Sequence, residues 1–405
     1  MADLPEGEPA PIDGSLPDPD VSAGLSAYVH IPFCQVRCGY CDFNTYTNVN
    51  FGPGAGIADF PDSLAREIEL SERVLAGIGD QAQLQSVFFG GGTPTMLDSS
   101  QLVSVLGRLN SAFGLVEGSE VTTEANPETV SRESLAELAA GGFTRVSFGM
   151  QSAVPEVLRI LDRQHRPAQV PRAVAWAREV GLDVSVDLIY GAPGETDEQW
   201  LASLQAAIDM DPDHISAYAL TVERGTKMGA QVRRGELSLP DPDVQADRYE
   251  MAARLLESAG YHWYEISNWA KPGHECRHNL MYWRGGDWWG YGPGAHSHIG
   301  GTRFWNVKHP LAYAQRLGTG AADPIESPAA GREILTESER DEEAIMLGIR
   351  LADGIDVPSH VRPEKVAGFI ADGLVEPAHA LRGRLVLTLK GRLLADAVTR
   401  ELWRD

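Results

Sequence analysis

The sequence predicts an α/β protein built on a parallel sheet, and three observations carry that prediction. From Tyr28 to Leu220, short apolar runs of strand length alternate with amphipathic stretches of helix length. Six such units recur in succession, and strands joined by helices form a parallel sheet covered by those helices. Glycines and polar side chains gather where the runs end, the edge at which α/β folds bind ligands. Right-handed crossovers leave two arrangements, a partial barrel and an open doubly wound sheet.

In chain order, residues 1–22 hold Asp3, Glu6, Glu8, Asp13, Asp18 and Asp20, five prolines and no basic residue. That composition predicts a disordered acidic leader. Residues 23–260 form the expected core. Its strands are Tyr28–Ile31, Ser86–Phe89, Glu120–Glu124, Arg145–Phe148, Val184–Leu188 and His214–Leu220, each a run of β-branched, aromatic or alternating residues. Its helices are Leu64–Leu75, Leu102–Phe113, Leu135–Ala140, Pro171–Val180 and Glu198–Ile208, with apolar residues three and four apart. Residues 261–330 read as an aromatic- and histidine-rich connecting segment opening on a strand at Tyr261–Ile266. Residues 331–405 read as a smaller C-terminal domain. Amphipathic helices at Glu337–Leu351 and Pro363–Asp372 precede a hairpin strand over Leu385–Arg392 and a final helix, a winged-helix-like order.

The chain carries 34 basic and 57 acidic residues, a net charge of −23. A free-standing nucleic-acid binder has the opposite sign, so nucleic acid is not an expected partner. An anionic bilayer is disfavoured as a constitutive anchor for the same reason. The sequence has no apolar run of membrane-spanning length and no basic region leading into an apolar core at the N-terminus, so a cytoplasmic, thiol-reducing location is expected.

The chemistry concentrates in Tyr28–Phe43. Three of the four cysteines, Cys34, Cys38 and Cys41, are spaced C-x3-C-x2-C just after the first strand. Three thiolates on one short loop can bind three corners of a 4Fe-4S cluster, leaving one iron without a protein ligand. That iron can chelate the amino and carboxylate groups of S-adenosylmethionine, and an electron from the cluster can then break the sulfonium C–S bond. Structural zinc wants four ligands in paired motifs, and no second pair follows. Cys276 stands alone downstream, which argues against a disulfide framework.

The strand Ser86–Phe89 runs into Gly90-Gly91-Gly92-Thr93-Pro94, either a tight turn or a backbone cradle for a ligand. Glu124, Gln151, Arg163 and Asp187 lie at or just beyond strand ends. Singly, such residues are commonly caps or turn formers. As a set they can meet the hydroxyls, adenine edge and carboxylate of a zwitterionic nucleoside.

The cysteine loop resembles that of the radical S-adenosylmethionine superfamily. With Tyr-x-His-Ile-Pro-Phe-Cys, Gly-Gly-Gly-Thr-Pro, Glu-Ala-Asn-Pro, Gly-x-Gln-Ser and Asp-Leu-Ile-Tyr-Gly, the resemblance narrows to the coproporphyrinogen III dehydrogenase group and covers nearly everything after residue 22. It implies a partial (β/α)6 barrel with a smaller C-terminal domain like that of the group. It also implies a cluster on Cys34, Cys38 and Cys41, and cofactor contacts from Tyr28, Tyr40, Gly91, Gly92, Thr93, Glu124, Gln151, Arg163 and Asp187. Within the group, the oxygen-independent oxidase loop has a further cysteine two positions after the third. Here that position is Phe43. The haem-chaperone branch, HemW, lacks it.

A second feature lies at His278-Asn279-Leu280-Met281-Tyr282-Trp283, with Trp288, Trp289, Tyr291, His296 and His298 soon after. Aromatics can cover a porphyrin and a neutral imidazole can ligate its iron, although most such residues fill cores. A zinc site from His274, Cys276 and His278 is an alternative that lacks a fourth ligand. The run is similar to the H-N-x-x-Y-W motif of the chaperone branch, which makes His278 the expected haem ligand. The resemblance thus implies a cluster- and S-adenosylmethionine-bearing haem chaperone serving apo-haemoproteins of the respiratory chain, and leaves a homodimer open. The competing expectation is the oxidase itself, which decarboxylates coproporphyrinogen III propionates by radical chemistry.

Overall fold

The computed structural model describes residues 6–22, 24–77, 82–320 and 322–403. All six expected strands form: β1 (Leu25–Ile31), β2 (Leu84–Gly91), β3 (Leu115–Ala125), β4 (Arg145–Gln151), β5 (Asp183–Tyr190) and β6 (His214–Ala219). They pair in parallel in the order of the sequence. An order without reversal winds every crossover the same way and keeps the helices on one face, so the sheet curls into a partial barrel and is not doubly wound.

The outer layer consists of α1 (Phe60–Leu75), α2 (Ser99–Phe113), α3 (Arg132–Ala140), α4 (Pro155–Ile160), α5 (Gln169–Glu179), α6 (Asp197–Asp209), α7 (Lys227–Arg233) and α8 (Pro242–Ser258). Their apolar stripes face the sheet, for example Phe60, Leu64 and Ile68 of α1 and Leu102, Val105 and Leu109 of α2. Ser131 and Thr196 close capping boxes that fix where α3 and α6 begin, just past the site-bearing strand ends.

Residues 261–330 are more than a connector. β7 (His262–Glu265) and β8 (Asn268–Ala270) join the β6 flank antiparallel. On the opposite flank, β9 (Asp287–Tyr291) pairs with β1 in parallel, and β10 (His296–Ile299), β11 (Thr302–Asn306) and β12 (Ala329–Ile334) continue antiparallel. The result is a twelve-stranded sheet. The aromatics explain the difference: Trp289, Tyr291 and Phe304 recur at strand spacing on the buried face of this extension. α10 (Pro310–Leu317) then packs against α1.

Because β8 and β9 lie on opposite flanks, residues 271–286 must span the hollow of the barrel. They do so at the N-terminal ends of the strands. Arg145 Nη2 donates to the His274 carbonyl at 2.9 Å, and His274 Nδ1 lies 3.0 Å from Asp183. The amides of Arg277 and His278, which begin α9 (Arg277–Trp283), donate to Glu120 at 3.1 and 3.2 Å.

Within residues 6–22, the disordered leader expected from composition is instead laid along the sheet. Glu8 and Arg332 exchange both backbone hydrogen bonds at 2.9 Å, their side chains form an ion pair at 2.7 Å, and Val21 is fully buried. The open edge of β12 offers backbone partners that composition alone does not reveal. Residues 1–5, Asp3 among them, lie outside the described residues.

The C-terminal part comprises α11 (Glu337–Gly348), α12 (Pro363–Ala371), α13 (Pro377–Ala380), α14 (Leu389–Leu393) and α15 (Ala395–Trp403), with β13 (Ile355–Asp356) paired to β14 (Arg384–Leu385). It has its own core of Ile349, Phe369, Val375, Leu385, Leu387, Val398 and Leu402. The strand expected over Leu385–Arg392 is much shorter, because Thr388 accepts from the Gly391 amide and starts α14. Arg392 seals this part to the sheet, its guanidinium 3.6 Å from the centroid of the Trp263 ring. No helix among the described residues is long and apolar enough to cross a membrane.

Candidate functional site

The cysteine loop is held at both ends by backbone. The Cys34 amide donates to the Tyr46 carbonyl at 2.9 Å, and the Met228 amide of α7 donates to the Gly39 carbonyl at 2.8 Å. Arg37 Nη2 reaches the carbonyls of Cys41 and Phe43 at 3.2 and 3.3 Å. Cys34, Cys38 and Cys41 line one small cavity of about 150 Å³ together with Gly91, Gly92 and Thr93. Burial pushes the Cys34 thiol up to about 11 and raises that of Cys41. A cationic metal centre reverses that cost, since a coordinating thiol gives up its proton.

The sulfurs do not crowd as ligands of one ion would. Among the described residues, the only trio whose ligand atoms all lie within 4.8 Å of one another is Asp183, Asp213 and His274. Thiols spread around a void suit the corners of a cluster better than a zinc ion. The zinc alternative at His274, Cys276 and His278 does not assemble either. Cys276 Sγ donates to Glu120 at 3.2 Å and His274 turns to Asp183.

A relay of polar groups ties the loop to three strand ends. Arg163 Nη1 lies 3.6 Å from Cys38 Sγ, and its Nη2 donates to Asn126 Oδ1 at 2.6 Å and to the Gly149 carbonyl at 2.8 Å. Asn126 donates to Thr93 Oγ1 at 3.2 Å, which points at Cys34 Sγ at 3.8 Å. Gly91 adopts a φ of +105° with the His30 ring packed against it, so a side chain has no room there. Gln151 sits at a β-bulge with a φ of 62°, a left-handed backbone that a glutamine seldom adopts. The strain aims a buried amide at the site.

The small cavity opens into a chamber of about 590 Å³ inside the barrel, and Tyr40, Gly91, Glu124, Gln151 and Asp187 line both. Glu124 accepts from the Gly91 amide at 3.1 Å, and Asp187 accepts from Ser147 at 2.8 Å. Burial, then the neighbouring Asp187, push the Glu124 carboxyl up to about 8. Two carboxyls that resist ionising together favour a ligand bringing hydroxyls and positive charge. The Tyr28 hydroxyl, also in the chamber wall, is 3.1 Å from His30 Nδ1. Tyr28, Tyr40, Gly91, Gly92, Thr93, Glu124, Gln151, Arg163 and Asp187 thus surround one connected space with the three cysteines.

The rest of the chamber was not singled out in the sequence. Thr122, Arg145, Ser147, Ser185, His214 and Ser216 line its wall and floor, with Arg145 only 4% exposed. Their signal is periodicity. β3 to β6 place polar residues at every second position, whereas a filled barrel carries Val, Ile and Leu there. Thr122 Oγ1, Arg145 Nε and His214 Nδ1 have no hydrogen-bond partner among the described residues, as befits atoms facing a hollow.

α9 closes the chamber on the β2 side. His278 is 1% exposed, with Nδ1 2.8 Å from Ser86 Oγ and Nε2 3.1 Å from the Tyr282 hydroxyl. Its ring stacks on Phe88 at 5.2 Å, and burial takes its pKa down to about 3. His278 is the residue expected to ligate haem iron. Both nitrogens are occupied, and iron ligation would require one of those bonds to break. In this conformation His278 positions Tyr282.

A model of the radical SAM superfamily matches residues 28–207. The protein named heme chaperone HemW from Mycobacterium tuberculosis H37Rv is 46% identical over 97% of this chain and 98% of its own. The chain belongs to the HemW family. Its Bacillus subtilis relative of that name is 35% identical over 92% of this chain and 97% of its own. The Escherichia coli radical SAM enzyme coproporphyrinogen III oxidase, HemN, shares the fold. That structure superposes with a TM-score of 0.76 at 24% identity, covering 94% of this chain and 90% of the other. Membership of the HemW family, as a radical SAM family, implies a 4Fe-4S cluster and S-adenosylmethionine, and the donor set described above suits both. In this HemW-family chain Phe43 lines the cysteine cavity and the chamber while remaining 56% exposed, so no fourth thiol stands at that mouth.

Proposed function

We infer that the chain is a haem chaperone that carries a 4Fe-4S cluster and S-adenosylmethionine and delivers haem to apo-haemoproteins of the respiratory chain. The observation that carries this reading is the likeness to a protein named as a haem chaperone along 97% of the chain. Phe43, in place of a further cysteine, supports it over the oxidase. Cys34, Cys38 and Cys41 hold the cluster. When bound, cluster and S-adenosylmethionine together supply an electron and a C–S bond that the electron can break.

The chain's own residues bind and orient. Gly91, Gly92 and Thr93 offer backbone to the methionine amino group, while Arg163 offers a guanidinium to its carboxylate. Tyr28, Tyr40, Glu124, Gln151 and Asp187 position the remainder through rings, hydroxyl acceptors and an amide. Four free cysteines support a reducing compartment, the cytoplasm.

The test is an anaerobic transfer assay. Cluster-reconstituted protein loaded with haem is mixed with an apo-cytochrome, and the acceptor's absorbance is followed. Transfer is expected, and no vinyl product is expected from coproporphyrinogen III with S-adenosylmethionine and reductant. Vinyl formation without haem transfer would make the oxidase the better reading.

A further inference from the structure

The chamber has two levels. Glu124, Gln151 and Asp187 form its rim, next to the cysteine loop. Thr122, Arg145, Ser185 and His214 line it further in. Thr122 and Ser185 stand two residues before Glu124 and Asp187 on the same faces of β3 and β5, which places them about 7 Å deeper along the strands. The sheet sets the four side by side, Thr122 aligned with Arg145 and Ser185 with His214. Arg145 Nη1 joins the two pairs by donating to Ser185 Oγ at 3.3 Å. None of the four is more than 4% exposed.

The groups without partners on this floor are donors. Arg145 Nε, His214 Nδ1 and Thr122 Oγ1 have no hydrogen-bond partner among the described residues. A guanidinium N–H can only donate. The Tyr264 hydroxyl accepts from the Cys276 amide at 3.3 Å and lies 2.8 Å from His214 Nε2. Its proton therefore goes to that nitrogen, and the imidazole carries its own proton on Nδ1. Burial, then the charge of Arg145, hold His214 well below its ordinary 6.5, so the ring is neutral at pH 7. Ser185 accepts from Arg145 and keeps its own proton to give, whereas Ser147 gives its proton to Asp187 at the rim, at 2.8 Å.

Four converging donors suit a ligand that only accepts, since a buried donor left unmet is destabilising. An ionised carboxylate accepts at two oxygens and donates at neither. The surrounding charge admits one negative unit. Arg145 is already shared with buried Glu120 at 3.4 Å, and Glu124 and Asp187 stand above as carboxyls that burial holds toward their neutral forms. A dianion such as phosphate would bring a second charge with no partner.

We propose that the chamber floor is a second ligand site, distinct from the rim that suits S-adenosylmethionine. It holds a small monocarboxylate between Arg145 Nε, His214 Nδ1 and the hydroxyls of Thr122 and Ser185. The crossing segment backs this floor: Arg145 Nη2 donates to the His274 carbonyl, and Cys276 lines the chamber. The carboxylate therefore enters past the rim and is covered once S-adenosylmethionine binds there.

The test is carbon-13 NMR of labelled acetate titrated anaerobically into the cluster-reconstituted full chain, with linewidth reporting the bound fraction. Wild type is expected to bind at one saturable site, and added S-adenosylmethionine is expected to leave the acetate bound. Thr122→Val and Ser185→Ala each delete one donor with little change of shape. Each is expected to weaken acetate binding at least about tenfold, the strength of a hydrogen bond to a charged group, with cluster content and melting temperature unchanged. Absence of saturable binding to wild type would leave the donors to ordered water and overturn the proposal. Unchanged affinity in both variants would overturn it by placing the acetate elsewhere. Inorganic phosphate displacing the label as well as unlabelled acetate does would overturn the ligand class. Displacement by S-adenosylmethionine would make the floor part of that cofactor's own site, against the proposal. Haem transfer is a separate measurement, so none of these results alters the chaperone reading.

Discussion

Gly92 measures how little space surrounds the cysteine loop. A β-carbon there would sit 2.6 Å from the Phe33 carbonyl, 2.8 Å from that of Ile31 and 3.0 Å from Cys34 Sγ. Two of these are backbone and cannot step aside cheaply. Gly92→Ala is expected to push the end of β2 away from the loop at a cost of about 1–3 kcal/mol. Iron and sulfide content after reconstitution should fall, and wild-type content would show that the loop can yield. At this scale the cysteines were legible because their spacing is their chemistry. Asn126 was visible only within the Glu-Ala-Asn-Pro run, yet it bridges Arg163 to Thr93. Ser147, Ser185 and Ser216 passed unnoticed, because a serine in a strand signals nothing until its neighbours on the same face are known.

The elements show the same division. Each of the six core strands was readable from its run of apolar or alternating residues, since the face turned to the helices must be apolar. The fate of residues 261–330 was not. Their aromatics were read as either core or ligand surface; Trp289, Tyr291 and Phe304 fill the core while Trp288 and Trp305 face clefts on the other side of the sheet. Only the pairing of β9 with β1 separates the two sets. α9, which carries the expected haem-ligand motif, also forms a wall of the chamber. His278→Ala would leave the Ser86 and Tyr282 hydroxyls without their shared partner and open a void beside Phe88. A loss of about 1–3 kcal/mol is expected from the unmet hydrogen bonds alone, measured by denaturant unfolding without haem. A variant as stable as wild type would mean that α9 does not depend on this residue.

For the whole molecule, three buried carboxyls contribute to the response to pH. Burial pushes Glu67 and Glu265 up to about 7 and Glu124 up to about 8, from an ordinary 4.5. Between these values the folded chain keeps protons that the unfolded chain releases, so the contribution of these three groups is full below 4.5 and declines as pH rises toward 8. Glu67 ties the halves of the sheet's β9 flank together, accepting from the Gly292 amide, Asn306 and Tyr313. Glu67→Gln is expected to flatten the fall in melting temperature of the cofactor-free protein between pH 5 and 8. An unchanged slope would assign the effect to other groups. The pairing of β1 with β9 also sets the order in which the chain can become whole. Leu25 aligns with Asp287, so about 260 residues must be synthesised and the crossing segment laid down before the first strand gains its second neighbour, a long and slow closure. Through that interval the cysteine loop, which follows directly from β1, has walls on one side only. Asn44 has yet to meet the carbonyls of Pro293 and Lys308 that will anchor it. Until that flank closes, the thiols of the cysteine loop stay open on that side.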